Sequence, residues 1–255
     1  MSTKRIAFAL VSNRDSKLYA MGGYNPLSRE LYTTETYDIE TNTWTTFAPM
    51  KLKIKQLDAA VIRHTMFVCG GFYDGDTYKQ CQYYLAGKDE WQLIKDSMIT
   101  ERRELALVAN DDYLYAIGGN SQVVANETTM ERWDLLNNGW TQVEKLTSPR
   151  SAFGASSLLG KIYVCGGWGL QGDSSDGKSC DRYDPETDEW QPIAPMLSKR
   201  RAFKLVTLDD KLYALGGFMD HELTNTVEVY DYELNQWQYT KPLPEKLADF
   251  AATVA

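Results

Sequence analysis

Apolar and polar residues alternate along this chain in short bursts separated by turn formers. One burst is Ala202-Phe203-Lys204-Leu205-Val206, followed by a turn at Asp209-Asp210. The next, Lys211-Leu212-Tyr213-Ala214-Leu215, ends at Gly216-Gly217. A third runs from Thr226 to Tyr230, Glu233-Leu234-Asn235 makes another turn, and a fourth carries Trp237. Period-two alternation, aromatic and β-branched content and flanking turns predict four short strands, which we denote a to d. No segment of comparable strength has helical periodicity.

The same unit recurs throughout the chain. Glycine pairs stand at Gly22-Gly23, Gly70-Gly71, Gly118-Gly119, Gly166-Gly167 and Gly216-Gly217, at offsets of 48, 48, 48 and 50. Trp44, Trp91, Trp140, Trp190 and Trp237 keep the same rhythm, with Tyr37, Tyr84, Trp133, Tyr183 and Tyr230 between them. Asp follows that aromatic in every repeat but the second, which has Leu85. A four-stranded sheet cannot bury both faces alone, so such units stack around an axis, with flat aromatics filling the wedges between them.

The glycine pair, the Tyr-Asp step and the Trp resemble the Kelch repeat over essentially the whole chain. That resemblance implies an all-β Kelch β-propeller of four-stranded antiparallel blades. Its repeats cover about 4–50, 51–98, 99–147, 148–197 and 198–244. Residues 247–255 match strand a, as does the segment from Arg5 to Val11, so there are five complete repeats plus a spare C-terminal strand. Two readings stand: a five-bladed ring with a redundant strand, or part of a longer, six-bladed protein. In both, residues 1–255 form a single propeller domain.

Pro49-Met50 and Pro195-Met196 before strand a, with the Tyr-Asp…Trp spacing, are similar to the Kelch domain of BTB-Kelch proteins. Those proteins are adaptors that recruit substrates to cullin-RING ubiquitin ligases. The resemblance implies a cytoplasmic protein-interaction module that recognises a substrate and reaches the cullin through a BTB domain outside these residues. An actin-binding cytoskeletal Kelch protein is the alternative, and a Kelch-fold enzyme a third class.

Composition narrows the partners. A net charge of -8 argues against nonspecific affinity for nucleic acid, and no apolar stretch has the length of a membrane span. Cys69, Cys81, Cys165 and Cys180 fall at small or apolar positions of the repeat and read as reduced core thiols. For chemistry the sequence offers little. His64 lies in an a–b turn and His221 in a b–c loop, which emerge on opposite faces of a propeller, so the two cannot share a metal. The ligand sets of the copper and iron Kelch enzymes are lacking. The expectation is no enzyme, no metal and no cofactor.

The two faces differ in character. The c–d turns are acidic, as in Asp184-Pro185-Glu186-Thr187-Asp188-Glu189, whereas the d–a connections carry Lys51, Lys53, Lys55, Arg102, Arg103, Arg150, Lys199, Arg200 and Arg201. Aligned on strand a, Arg5, Arg102, Arg150 and Arg200 are equivalent and would ring the axis. Either they pair with neighbouring blades or they anchor an acidic peptide, since arginine takes carboxylates in bidentate fashion. Tyr24, Phe72, Tyr73, Trp168 and Phe218 open the b–c loops on the same face, with Asn120 the exception, and His221 lies beside them. These aromatics and the four arginines form the expected partner-binding site.

Overall fold

The computed structural model describes residues 1–13, 15–169 and 177–255. Five four-stranded antiparallel sheets form the blades of a β-propeller, with strands a to d in order from the axis outward. Blade 1 is Ala9–Ser12, Lys17–Met21, Thr34–Asp38 and Thr43–Thr46. Blade 2 is Asp58–Ile62, Thr65–Cys69, Cys81–Leu85 and Glu90–Leu93. Blade 3 is Ala106–Asn110, Tyr113–Ile117, Met130–Asp134 and Gly139–Val143. Blade 4 is Gly154–Leu158, Lys161–Cys165, Cys180–Asp184 and Glu189–Ile193. Blade 5 is Lys204–Leu208, Lys211–Leu215, Val227–Asp231 and Gln236–Thr240. Strand a begins two residues later than the apolar burst suggests, because Ala202 adopts φ +50° and is drawn into a different set of bonds.

Those bonds form a ring at the axis. Gln56 N–H donates to Ala7 O, Glu104 to Gln56, Ala152 to Glu104, Ala202 to Ala152, Asp249 to Ala202, and Ala7 to Asp249, at 2.7–3.3 Å. All six residues have positive φ. The ring therefore has six places, of which five belong to blades and the sixth to the C-terminal segment. Residues 247–255 form no strand, however, because among the described residues no strand b pairs with them to make a ladder.

Two devices join the blades. The first is the glycine pair. Gly119 N–H donates to Arg150 O of the next blade at 2.8 Å. Gly118 has φ +53°, and a Cβ there would lie 2.7 Å from the same carbonyl, so the close approach requires glycine. The second is a latch at the outer rim. Asp89 accepts the N–H of Ala48 in blade 1 (3.0 Å) while Trp91 donates to its carbonyl (3.0 Å). Asp188 and Trp190 hold Glu144 in the same way, and Asn235 and Trp237 hold Ala194. Phe47, beside the latched Ala48, packs edge-on against Tyr84 at 5.1 Å. In these three repeats the Trp thus covers apolar area and satisfies a backbone carbonyl at once.

The cysteines are not free. Disulfides join Cys69 to Cys81 and Cys165 to Cys180. The reading of reduced core thiols is corrected here. The last residue of strand b lies directly opposite the first of strand c in both blades, which brings each buried pair into bonding range.

Candidate functional site

The arginines expected to anchor a partner are buried inside the blades. Arg102, Arg150 and Arg200 are at most 1% exposed and Arg5 is 7% exposed. Each spans its own blade. Arg102 donates to Gly118 O (2.8 Å), Thr129 O (2.9 Å) and Glu131 (2.7 Å). Arg5 pairs with Glu35, Arg150 with Asp181 and Arg200 with Glu228, at 2.6–2.9 Å. Glu131 also accepts the N–H groups of Ile99 and Thr100, and Glu228 those of Leu197 and Ser198. The pair pins the d–a connection to strand c and props the start of the b–c loop. A partner cannot reach these guanidinium groups, so Arg5, Arg102, Arg150 and Arg200 are corrected to structural residues. Blade 2 supports this, because both members change together: Ile54 takes the arginine's place and Gln82 the carboxylate's, each 1% exposed.

The accessible cations lie one residue further on. Short bridges join Ile6 to Tyr24, Lys55 to Phe72, Arg103 to Asn120, Ser151 to Trp168 and Arg201 to Phe218. The d–a connections and the b–c loops therefore meet on one face, as expected. There the aromatics and cations alternate. Lys55 Nζ sits 4.7 Å from the Tyr24 ring and 5.4 Å from Phe72, and Arg103 lies 4.9 Å over Phe72. Arg201 is sandwiched between Trp168 (4.3 Å) and Phe218 (4.5 Å). Tyr24, Phe72, Tyr73, Trp168 and Phe218 are half-buried and His221 is exposed. The row breaks at blade 3, where Asn120 replaces the aromatic and donates to Glu104 (2.8 Å), and at blade 4, where Ser151 replaces the cation.

The mouth of the axis is acidic. Glu104 also accepts from Gln56, and burial pushes its carboxyl above the usual range, with nearby Asp249 adding to the effect and Arg103 opposing it. Asp249 is likewise raised by burial, against the pull of Arg201 and Lys204. The face is thus a rim of stacked cations around a carboxyl-lined centre. Lys55 is paired to Glu30 at 3.0 Å, whereas neither Arg103 nor Arg201 has an ion pair among the described residues.

The acids of the opposite face are largely occupied. Asp38, Asp134 and Asp231 accept N–H groups of their own turns, which holds the three carboxyls below their usual range, and Asp184 is held low first by the Lys161 ammonium at 2.7 Å and then by the N–H of Glu186. Asp89 and Asp188 serve the latches. Asp173 and Asp176, which the sequence places in the b–c loop of repeat 4 on the cation–aromatic face, lie outside the described residues. Among the described residues no three His, Cys, Asp or Glu side chains gather in a way that could hold a metal ion, and no helix is long and apolar enough to cross a membrane.

Comparison with known proteins agrees with this architecture. Residues 2–167 match the KLHDC2/KLHL20/DRC7 Kelch-repeats domain, and residues 149–197 and 199–244 match the Kelch motif. The chain belongs to the Kelch-repeat family, whose propellers are protein-interaction domains. Among its relatives are Kelch-like protein 35 of Mus musculus, 28% identical over 62% of this chain, and Kelch-like protein 23 of Homo sapiens, 31% identical over 59%. Kelch-like protein terF of Aspergillus terreus is 29% identical over 63% of the chain. The matched regions cover 26%, 26% and 38% of those three relatives.

Proposed function

We propose that the domain recognises an acidic segment of a protein partner along the cation–aromatic rim of the d–a and b–c loop face. The alternation of Lys55, Arg103 and Arg201 with Tyr24, Phe72, Trp168 and Phe218 carries this reading. A guanidinium held flat between two rings loses little freedom on binding a carboxylate, and the rings supply apolar contact area beside it. Glu104 and Asp249 repel an acidic chain from the axis, so the segment follows the rim, with blades 4 and 5 as its firmest hold. The domain acts by binding and not by catalysis. By its likeness to the Kelch-like proteins, we assign it the substrate-recognition role of a cullin-RING ligase adaptor working in the cytoplasm. Its two disulfides argue for an oxidising setting instead, and a thiol count on protein drawn from cell lysate decides between them.

The test is affinity capture followed by titration of the captured partner. Arg201→Ala should weaken binding more than tenfold, while Asp188→Asn leaves it near the wild-type value. Unchanged binding by folded Arg103→Ala and Arg201→Ala variants would place the partner elsewhere.

A further inference from the structure

The rim latch is made at the interfaces of blades 1 and 2, 3 and 4, and 4 and 5, but not between blades 2 and 3. The reason is legible in the spacing. From the strand d Trp to the apolar residue that starts the next connection is six residues in four repeats: Trp44 to Met50, Trp140 to Leu146, Trp190 to Met196 and Trp237 to Leu243. These apolar residues are equivalent, because each donates its N–H to the same place before strand c. In repeat 2 the distance is seven, from Trp91 to Met98. The extra residue falls within Lys95-Asp96-Ser97, so the backbone that should enter the latch is out of register with it, and no latch bond forms among the described residues. Trp140 Nε1 is left buried with no acceptor, and so is Nε1 of the 3% exposed Trp133. Asn138, which stands where Asp89, Asp188 and Asn235 hold a backbone N–H, makes no side-chain hydrogen bond among the described residues.

A cavity of about 510 Å³ opens at this point. Its walls are mainly apolar, with Phe67, Tyr83 and Ile94 of blade 2 facing Trp133 and Leu135 of blade 3. That volume is within the range of ligand sites. It lies by the a–b and c–d turns, on the other side of the molecule from the cation–aromatic rim.

We propose that this notch is a second binding site, which takes one extended residue of a partner polypeptide together with an adjacent apolar side chain. The three made latches define the ligand. In each, a backbone N–H meets an Asp or Asn Oδ1, and the carbonyl of the same residue meets the indole N–H. In two of them the latched residue is alanine, preceded by Phe47 or Ile193 and followed by proline. The notch offers Asn138 and Trp140 in the same relation. An arriving carbonyl would relieve a buried donor that is costly to leave unpaired, and an aromatic or aliphatic side chain would fill the cavity. The ligand is thus a short extended segment with an apolar–Ala–Pro core.

The probe is the blocked pentapeptide Thr-Phe-Ala-Pro-Met, the sequence of residues 46–50, titrated calorimetrically into the full chain. Saturable binding is expected. Deleting Lys95 restores the six-residue spacing, lets the chain close its own latch, and should abolish binding while raising the melting temperature. Trp140→Phe, which keeps the ring but not the donor, should weaken binding about threefold to tenfold, the effect of one net hydrogen bond. The proposal is overturned by absence of saturable binding to the wild type, or by equal binding to the wild type and a folded Lys95-deletion variant. Equal binding to wild type and Trp140→Phe would overturn it as well, and that variant remains informative if the deletion does not fold.

Discussion

The buried pair of Arg102 and Glu131 gives the sharpest test of how these blades are held. Both side chains are 0% exposed, and Arg102 is the donor for two carbonyls as well as the carboxylate. Arg102→Ile leaves Glu131 charged in the interior with only the Ile99 and Thr100 N–H groups for company. Breaking a buried pair from one side costs about 3–5 kcal/mol, a large part of the ~5–15 kcal/mol available to a domain. Blade 2 shows the way out, since Ile54 and Gln82 occupy the same two places without charge and Gln82 still accepts the N–H of Lys51 at 2.9 Å. The double variant Arg102→Ile, Glu131→Gln copies that arrangement and should cost only about 1–2 kcal/mol, the loss of hydrogen bonds to Gly118 and Thr129. Urea unfolding of the wild type, both single variants and the double at neutral pH closes the cycle. A coupling energy near zero, with the double equal to the sum of the singles, would refute the reasoning.

Further outcomes follow from the same contacts. Burial alone would raise the Glu35 carboxyl, but hydrogen bonds from Arg5, Ser2 and Thr3 outweigh it and hold the group below its usual value. Its stabilising effect is therefore complete above the unfolded value of about 4.3 and lost as pH falls through the lower folded value. The stability gap between wild type and Glu35→Gln, measured by chemical denaturation, should shrink on acidification, and a gap that widens would contradict the assignment. Gly118→Ala forces a Cβ against Arg150 O at positive φ and should cost at least about 1–3 kcal/mol, read as a fall in the urea midpoint. Reducing the disulfides, which span 12 and 15 residues, should lower stability by about 3 kcal/mol for each loop, with four thiols titrating in denatured protein after reduction and none before it.

The strand order and the two-faced arrangement of loops were legible because the glycine pair, the strand c aromatic and the Trp each mark a fixed point in the repeat. The arginine assignment failed because Arg102-Arg103 and Arg200-Arg201 are adjacent cations that point opposite ways, and charge alone does not say which is buried. The informative signal lay some 30 residues downstream. Glu35, Glu131, Asp181 and Glu228 follow their arginines by 30, 29, 31 and 28 residues, and Gln82 appears in the one repeat whose arginine is missing. A charge whose partner disappears with it belongs to the interior. The cysteine pairing was readable in the same way, since Cys69 and Cys165 end strand b, Cys81 and Cys180 begin strand c, and these positions are cross-strand neighbours in the ladder. The notch between blades 2 and 3 is set by a single added residue, which a search for shared features passes over.

The six-place ring also sets where residues 1–255, taken by themselves, open first. Blades 2, 3 and 4 are covered on both flanks, but blades 1 and 5 border the place held only by residues 247–255. Leu18, Tyr37 and Trp44 of blade 1 are half-buried there, where the matching Leu212, Tyr230 and Trp237 are buried. Tyr213 and Leu215 on blade 5 are half-buried, where Tyr115 and Ile117 are fully covered. Water reaches those two sheets from one side, so their outer strands have the smallest free energy of local unfolding, and amide protection should climb from blades 1 and 5 toward blade 3. Within residues 1–255 stability is graded around the circumference, with its weakest sector at the sixth place, where a short segment stands in for a four-stranded blade.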